Sequence, residues 1–440
     1  MKALQHLNKY FWKYRMRFGL GVLFIALTNV FTIYPPQLVK EAVNFLQETF
    51  EAGNGLSEGE LATIDKPDSF LFLQEYFGWT FSLGENESLA IPSGNWAELA
   101  VKVALLLGLI YIVVYAIKGL LSFMTRQTII IMSRLIEFDL KNEVYEHYQQ
   151  LDMAFYKRNR TGDLMNRISE DVSKVRMYLG PAAMYTLNLI VLIIMVVSVM
   201  AYVDWELTLW SLAPLPFMSI GIYYVSSTIN RRSERAQRQQ SQLSTIVQES
   251  ISGVRVLKAY TREDAQQKFF KKESDTYKSR ILDQVKIDAL FMPIIVMLVG
   301  LSTTLTIYIG GLKVIDGSIQ LGTIFQFVFY VNLLTWPFAS VGWVTSLVQK
   351  AEASQERINE FLNTKPTIVN TVDASTQLGG QVEFKNVSFV YPDSGIKALD
   401  EVSFEVKKGE TLAIIGRTGS GKSTVANLLC RLYDTSSGQI

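Results

Sequence analysis

The 440-residue sequence has one cysteine, Cys430, and two histidines, His6 and His147. A single thiol closes no intrachain disulfide, and two imidazoles with one thiol offer no zinc-type ligand spacing. Cys430 reads as a core residue of a helix. Charge of one sign is also missing, since 42 Lys and Arg against 41 Asp and Glu leave a net +1. That balance lacks the electrostatic footprint of a nucleic-acid binder and argues for no acidic partner. Apolar residues make up 49% of the chain. So apolar a chain is too long for one ordinary domain and too hydrophobic for a typical soluble protein, which directs attention to membrane segments.

Apolar windows of about 20 residues fall near 18–46, 99–124, 179–203, 205–226, 288–311 and 321–348. The basic, aromatic stretch before the first contains Lys2, Lys9, Lys13, Arg15 and Arg17 and is followed by no small-residue cleavage site. It therefore reads as an interfacial helix over 1–17 and a retained first span, not as a cleaved signal. Spans three and four are separated only around Asp204, and spans five and six turn near Gly310, Gly311, Asp316 and Gly317. The 48–98 segment carries Glu48, Glu51, Glu58, Glu60, Asp65, Asp68, Glu75, Glu85, Glu87 and Glu98, with Lys66 its one base. The stretches after spans two and four are rich in Lys and Arg and belong in the cytoplasm, which puts the acidic loop outside. Within that loop, Phe70 to Leu83 is too short to cross and is expected to be interfacial or packed.

Several helices are expected to outlast the bilayer. No Pro or Gly interrupts the chain between Gly119 and Tyr156, so a helix of roughly 50 residues and about 75 Å is expected, of which the hydrocarbon takes about 30 Å. A turn at Arg160-Thr161-Gly162 leads back to the membrane, and Arg231 to Lys286 makes a second cytoplasmic hairpin. These observations set a transmembrane domain over 18–349 and a linker over 350–380 containing Pro366 and Gly379-Gly380. A soluble domain is then expected over 381–440, with Val402, Phe404 and Val406 alternating as in a strand and Thr411 to Ile415 as a buried strand.

Gly416-Arg417-Thr418-Gly419-Ser420-Gly421-Lys422-Ser423 fits G-x-x-x-x-G-K-[ST]. Its glycines let backbone N–H groups turn inward around phosphate oxygens, and a following helix adds the positive end of its dipole. Lys422 is expected to reach the β- and γ-phosphates, Ser423 to ligate Mg2+, and Thr424 to donate to an α-phosphate. Tyr391, 25 residues before Gly416 at a strand end, is a candidate to stack on a base, or a packing residue of the strand.

Three groups of residues, together with this layout, resemble the ATP-binding-cassette exporters, specifically half-transporters of the lipid and multidrug type. They are Phe155-Tyr156 with Arg158 to Leu164, Arg167 and Asp171; Glu249 to Gly253 with Val256 to Tyr260; and Val387 to Pro392. The resemblance implies an all-α six-helix membrane domain followed by part of an α/β P-loop domain, with ATP and Mg2+ as ligands. It implies coupling roles for Arg158, Asn159, Arg160, Thr161, Gly162 and Asp163 and for Ser252, Gly253, Val254 and Arg255, and adenine stacking for Tyr391. A second half-transporter is the expected partner, as homodimer or heterodimer, alongside membrane lipids and an amphipathic substrate. The expected location is the plasma membrane, the bacterial inner membrane, with the nucleotide domain cytoplasmic. The family's signature, catalytic glutamate and histidine loop are not found, so no catalytic residue is assigned and the chain alone is expected not to hydrolyse ATP. A competing class is a nucleotide-sensing membrane regulator that binds without turnover. For the cargo path, ionisable residues near the spans point to Lys118 with Arg126 and Lys286 as attractors of an anionic head group, or as snorkelling bases. Asn29, Asn188, Gln326 and Asn332 either line that path or bond between helices.

Overall fold

The computed structural model describes residues 3–55, 61–77, 88–92, 96–369 and 379–440. A short 3-10 turn, Ala3–Leu7, and α1 (Asn8–Lys13) lead into α2 (Arg15–Gly55). After β1 (Leu61–Asp65), α3 (Asp68–Phe77) and β2 (Ser88–Pro92) comes α4, Trp96–Gln150. The first cytoplasmic hairpin continues through α5 (Met153–Arg158), α6 (Thr161–Asn166), a π-helical turn and α7 (Val172–Met177). Another π turn precedes α8 (Ala183–Val203) and α9 (Trp205–Leu212). The second hairpin comprises α10 (Pro214–Ser252), α11 (Val254–Ala259) and α12 (Glu263–Asp288). Then follow α13 (Phe291–Ile315), α14 (Leu321–Leu362), β3 (Val382–Val390), β4 (Lys397–Val406), α15 (Lys422–Leu429) and β5 (Ser437–Gln439). Six helical stretches among the described residues are long and apolar enough to cross a membrane, matching the six windows.

The chain divides into two compact units. The first comprises Met1–Met16, Ile129–Ala182 and Leu347–Ile440; the second comprises Arg17–Thr128 and Ala183–Ser346.

In the second unit, Leu192, Val196, Met200, Leu215, Met218, Ile222, Phe327, Tyr330 and Leu334 form one core. Lipid tails are as apolar as these side chains, so close contact and polar bonds hold such helices together. Asn29 donates to Asn188 at 3.0 Å, and Tyr330 donates to the Ile33 carbonyl at 3.0 Å, beside the Pro35-Pro36 pair where α2 has lost two N–H donors. Gln326 donates to Tyr330 at 3.3 Å. Two of the four polar residues proposed for the cargo path, Asn29 and Asn188, thus serve an interhelical bond, a kind worth about 0.6 kcal/mol in a membrane, while Gln326 bonds within α14 to the tyrosine that reaches α2. The fourth, Asn332, bonds the Val328 carbonyl of its own helix. Gly322 is required by close approach: its N–H donates to Asn44 at 2.7 Å, and a Cβ there would strike the Lys40 carbonyl oxygen.

The expected tight turn between spans three and four is built on Asp204. Its carboxylate accepts the Leu207 N–H at 2.7 Å as an N-cap and pairs with Lys313, which also reaches Glu206 at 3.0 Å. The acidic loop contributes a two-stranded antiparallel sheet, β1 with β2, that the composition did not suggest. Phe70 of α3 is buried with Leu38, Phe45, Ile64, Leu89 and Val103, so α3 is a packed helix; Gly78 to Leu83 lie outside the described residues.

In the first unit, β4, β3 and β5 form an antiparallel sheet in that order. Phe384, Val387, Phe389, Leu399, Val425, Leu428 and Tyr433 make its core, joined by Ala154 of α5. The N-terminal segment is packed here too. Leu4, Leu7 and Tyr10 are buried, Tyr10 donates to Glu143, Lys9 pairs with Glu143, and Lys13 pairs with Asp139.

Three expectations fail locally, the first at Cys430, which is the exposed C-cap of α15 and not a core residue. The helix expected to run to Tyr156 breaks after Gln150, because Asp152, in extended geometry, caps a new helix by accepting the Phe155 N–H at 3.0 Å. Thr411 to Ile415 forms no strand, and Ile415 is 93% exposed. A strand exists only through ladder bonds to neighbours, and this run belongs to neither sheet of the described residues.

Candidate nucleotide site and cytoplasmic turns

The phosphate loop leads into α15, whose first turn has no side-chain cap. The last glycine is needed twice over: Gly421 has φ +87°, and a Cβ there would strike the Ala398 carbonyl oxygen of β4. At Gly416 a Cβ would lie 2.6 Å from the Ser420 hydroxyl, so the loop closes tightly on itself. Inside the ring sits the Lys422 ammonium, donating to the Gly416 and Arg417 carbonyls at 2.8 Å each. A cation at the centre of a ring, with uncapped helix N–H groups beside it, is a built receptor for phosphate. The donor set therefore fits a nucleoside triphosphate. Lys422 would hold the phosphates, with backbone N–H groups of Thr418, Gly419, Ser420 and Gly421 around them. The exposed Ser423 would ligate Mg2+.

Thr424 and Tyr391 have other commitments in this structure. The buried Thr424 hydroxyl and the Tyr391 hydroxyl are hydrogen-bonded to each other at 3.0 Å. The Tyr391 ring stands edge-on to Phe389 and Tyr433, at 4.9 and 5.6 Å between centroids. The Lys157 ammonium lies over Tyr391, 4.3 Å from its centroid, and 5.2 Å from that of Tyr433. The neighbouring Tyr433, with Tyr391 and Asp393 beyond it, holds the Lys157 ammonium above its ordinary pKa.

That lysine belongs to α5, one residue before the first coupling segment. Arg158 ends α5, Asn159 caps it by donating to the Phe155 carbonyl at 2.9 Å, and Thr161, Gly162 and Asp163 open α6 after Arg160. Asp163 pairs with Arg167 at 3.0 Å. Upstream, the second carboxylate oxygen of Asp152 accepts both the N–H and the hydroxyl of Thr367. Burial raises the Asp152 pKa, but the bonds from Thr367 and Phe155 outweigh it and hold the carboxyl below its usual range. Asp171 is buried and accepts from Ser354 at 2.9 Å and from Arg357. Neither Asp152 nor Lys157 was singled out in the sequence; an Asp three residues before a helical N–H and a Lys flanked by Tyr and Arg carry no spacing signature.

In the second hairpin, Ser252 ends α10, Gly253 donates to the Glu249 carbonyl at 2.8 Å, and Val254 and Arg255 open α11. The proposed cargo residues are not brought together among the described residues. Lys118 lies over the Tyr115 ring of its own helix at 4.9 Å, Lys286 pairs with Asp283 at 3.6 Å, and Arg126 is exposed.

Comparison with known proteins agrees with this layout. The family model for the ABC transporter transmembrane region matches residues 72–338, and the ABC transporter model matches 399–440. The multidrug resistance-like ATP-binding protein MdlA of Escherichia coli is 32% identical over 76% of this chain and 56% of its own length. A probable multidrug resistance ABC transporter ATP-binding/permease protein of Bacillus subtilis, YheI, is 28% identical over 100% of this chain and 67% of its own. The ATP-dependent lipid A-core flippase of Syntrophus aciditrophicus is 30% identical over 75% of this chain and 55% of its own. The chain thus spans little more than half the length of two of these relatives. Six membrane-crossing helices and these relatives make it a multi-pass inner-membrane protein whose nucleotide domain is cytoplasmic. With its membrane region matched over more than half its length and a formed phosphate loop behind it, the chain belongs to the ABC transporters.

Proposed function

We propose that the protein is an ATP-driven exporter of amphipathic molecules, lipids or drugs, that works as a dimer of half-transporters. The observation that carries this reading is the pairing, in one compact unit, of the phosphate loop with the first cytoplasmic turn: Lys157 lies on Tyr391, whose hydroxyl reaches Thr424 directly behind the loop.

Bound Mg2+–ATP supplies the free energy of phosphoryl transfer. This chain's residues hold it: Lys422 offsets phosphate charge, the loop N–H groups orient the oxygens, Ser423 fixes the metal and Tyr391 offers a ring for adenine. Stacking there changes what lies against Lys157 and so reaches α5 and the Arg158–Asp163 turn. Ser252 to Arg255 act in the same way at the other turn. Rigid helices lead from both turns to the spans, and rotation of such rods is a sufficient means of opening a cavity between them. In this reading Lys118, Arg126 and Lys286 attract an anionic head group near the inner leaflet. The domain bounds are 1–17, 18–349, 350–380 and 381–440. The 440 residues contribute ATP binding, and turnover belongs to the full reading frame and its dimer.

The test is vanadate-sensitive ATPase activity of the full reading frame in liposomes, with and without added lipids or drugs. Stimulated turnover is expected. ATP binding with no turnover, alone or with a partner half-transporter, would overturn the exporter reading in favour of a nucleotide-sensing regulator.

A further inference from the structure

The second cytoplasmic hairpin has a feature that neither the phosphate loop nor the turns use. Where α10 and α12 pack together, Arg232, Arg235, Arg238 and Arg280 line one cleft of about 690 Å3, with Asp283 the one acid among them. Two of the four guanidinium groups are fixed by backbone bonds across the hairpin. Arg232 of α10 donates to the Asp283 carbonyl at 2.6 Å, and Arg280 of α12 donates to the Arg235 carbonyl at 3.1 Å. One turn further from the membrane Gln239, buried, donates to Glu273 at 2.6 Å. The walls are thus set by bonds in which the Arg235 and Arg238 side chains take no part. Each fixed guanidinium uses one N–H in these bonds and keeps others in a planar fork. Asp283, the opposing charge, also faces Lys286 at 3.6 Å, and Arg238 faces Glu234 on its own helix.

A general excess of positive charge on the cytoplasmic side is met equally well by lysine. Lysine predominates on the neighbouring face of α12, where Lys268, Lys271 and Lys272 line an open surface with Asp275 and with Arg280, which borders both surfaces. Arginine alone in the cleft, oriented from both walls, is the arrangement that matches a phosphate group through paired N–H donors. Arg232 lies six residues beyond the fourth span and Asp283 five before the fifth, about 8–9 Å from each, so the mouth of the cleft is at head-group depth while Arg238 is deeper in the cytoplasm.

We propose that this cleft is a binding site for a phosphate-bearing anion, distinct from the phosphate loop. Two probes separate the source. Native mass spectrometry of the full protein released from phosphatidylcholine vesicles containing phosphatidic acid reads lipid phosphate. Calorimetric titration with inorganic pyrophosphate, in a K422A background that disables the phosphate loop, reads a soluble one. The variant R235Q/R238Q removes two guanidinium groups and leaves the cross-hairpin bonds in place; K271Q/K272Q removes the same charge from the neighbouring face. At least one probe is expected to bind tenfold or more weakly to R235Q/R238Q, with K271Q/K272Q within threefold of the parent. R235K/R238K, which keeps the charge and is the gentler change should glutamine disturb folding, is expected to weaken binding threefold or more through loss of the guanidinium fork. The proposal is overturned if neither probe distinguishes R235Q/R238Q from the parent, if K271Q/K272Q loses as much, or if R235K/R238K binds as tightly as the parent.

Discussion

The two cytoplasmic turns are alike in sequence terms, each a few polar and glycine-containing residues at the end of a long helical hairpin, yet the structure treats them differently. Around the first, Tyr148 donates to the Leu164 carbonyl at 2.8 Å, and Tyr148, Phe155 and His147 pack their rings on Phe361. Asp152 holds Thr367, and Lys157 lies on two tyrosines. The second is closed by bonds within its own hairpin, Gln266 donating to the Ser250 hydroxyl at 2.8 Å and Lys258 pairing with Glu263 at 3.0 Å. Its Val256 and Tyr260 are 62% and 74% exposed. The difference teaches that a turn is engaged by the aromatic and capping residues flanking it, while its glycine only permits the bend.

The largest effect is expected at the nucleotide end shared by both turns under the exporter reading. Lys422→Ala removes the ammonium from the phosphate ring, and binding of a fluorescent ATP analogue should weaken by at least ~100-fold, with thermal stability unchanged. Next, Asp152→Ala deletes a helix cap and the bond to Thr367, and should cost about 1–2 kcal/mol by urea unfolding of the first unit; Ser252→Ala, at the other turn, should cost close to nothing. The same carboxylate sets a pH dependence. Its folded pKa is depressed, so its contribution is fully present above the ordinary carboxylate value of about 4, and is lost as pH falls through the lower folded value. Protection of residues 363–369 from protease should therefore fail in acid, and Asp152→Asn should flatten that profile. A smaller change is expected from Lys157→Gln, about 0.5–1 kcal/mol through the lost ammonium–ring contact, read as a shift in unfolding midpoint. Smallest in stability is Val256→Ser with Tyr260→Ser, within about 0.5 kcal/mol. If both turns couple, that double variant nevertheless lowers drug- or lipid-stimulated ATPase of the full protein; unchanged stimulation would confine coupling to the first turn.

The spans and the phosphate loop were legible because each rests on a local rule: some 20 apolar residues, or glycines and a lysine at fixed spacing. What escaped rests on contacts distant in sequence. The β1–β2 hairpin pairs Leu61 with Pro92 across an intervening helix. The break in α4 turns on Asp152 choosing Phe155 and Thr367 as partners, in a stretch without Pro or Gly. Thr411 to Ile415 has the composition of a strand, yet composition supplies no ladder partner. Asn29 and Asn188 were ambiguous from sequence because a polar residue in a span serves a cavity or a neighbour equally, and only the 3.0 Å bond between them decides.

The Asp204 turn has a consequence for environment. Burial raises the pKa of this carboxyl, but the Leu207 N–H and Lys313 outweigh burial and draw it below the ordinary carboxylate range. A charge held so firmly stays in place when the medium on that face turns mildly acidic. Spans three, four and five therefore share a charged rivet at one end that persists in mild acid, while spans four and five are tied a second time, on the cytoplasmic side, by the bonds between α10 and α12.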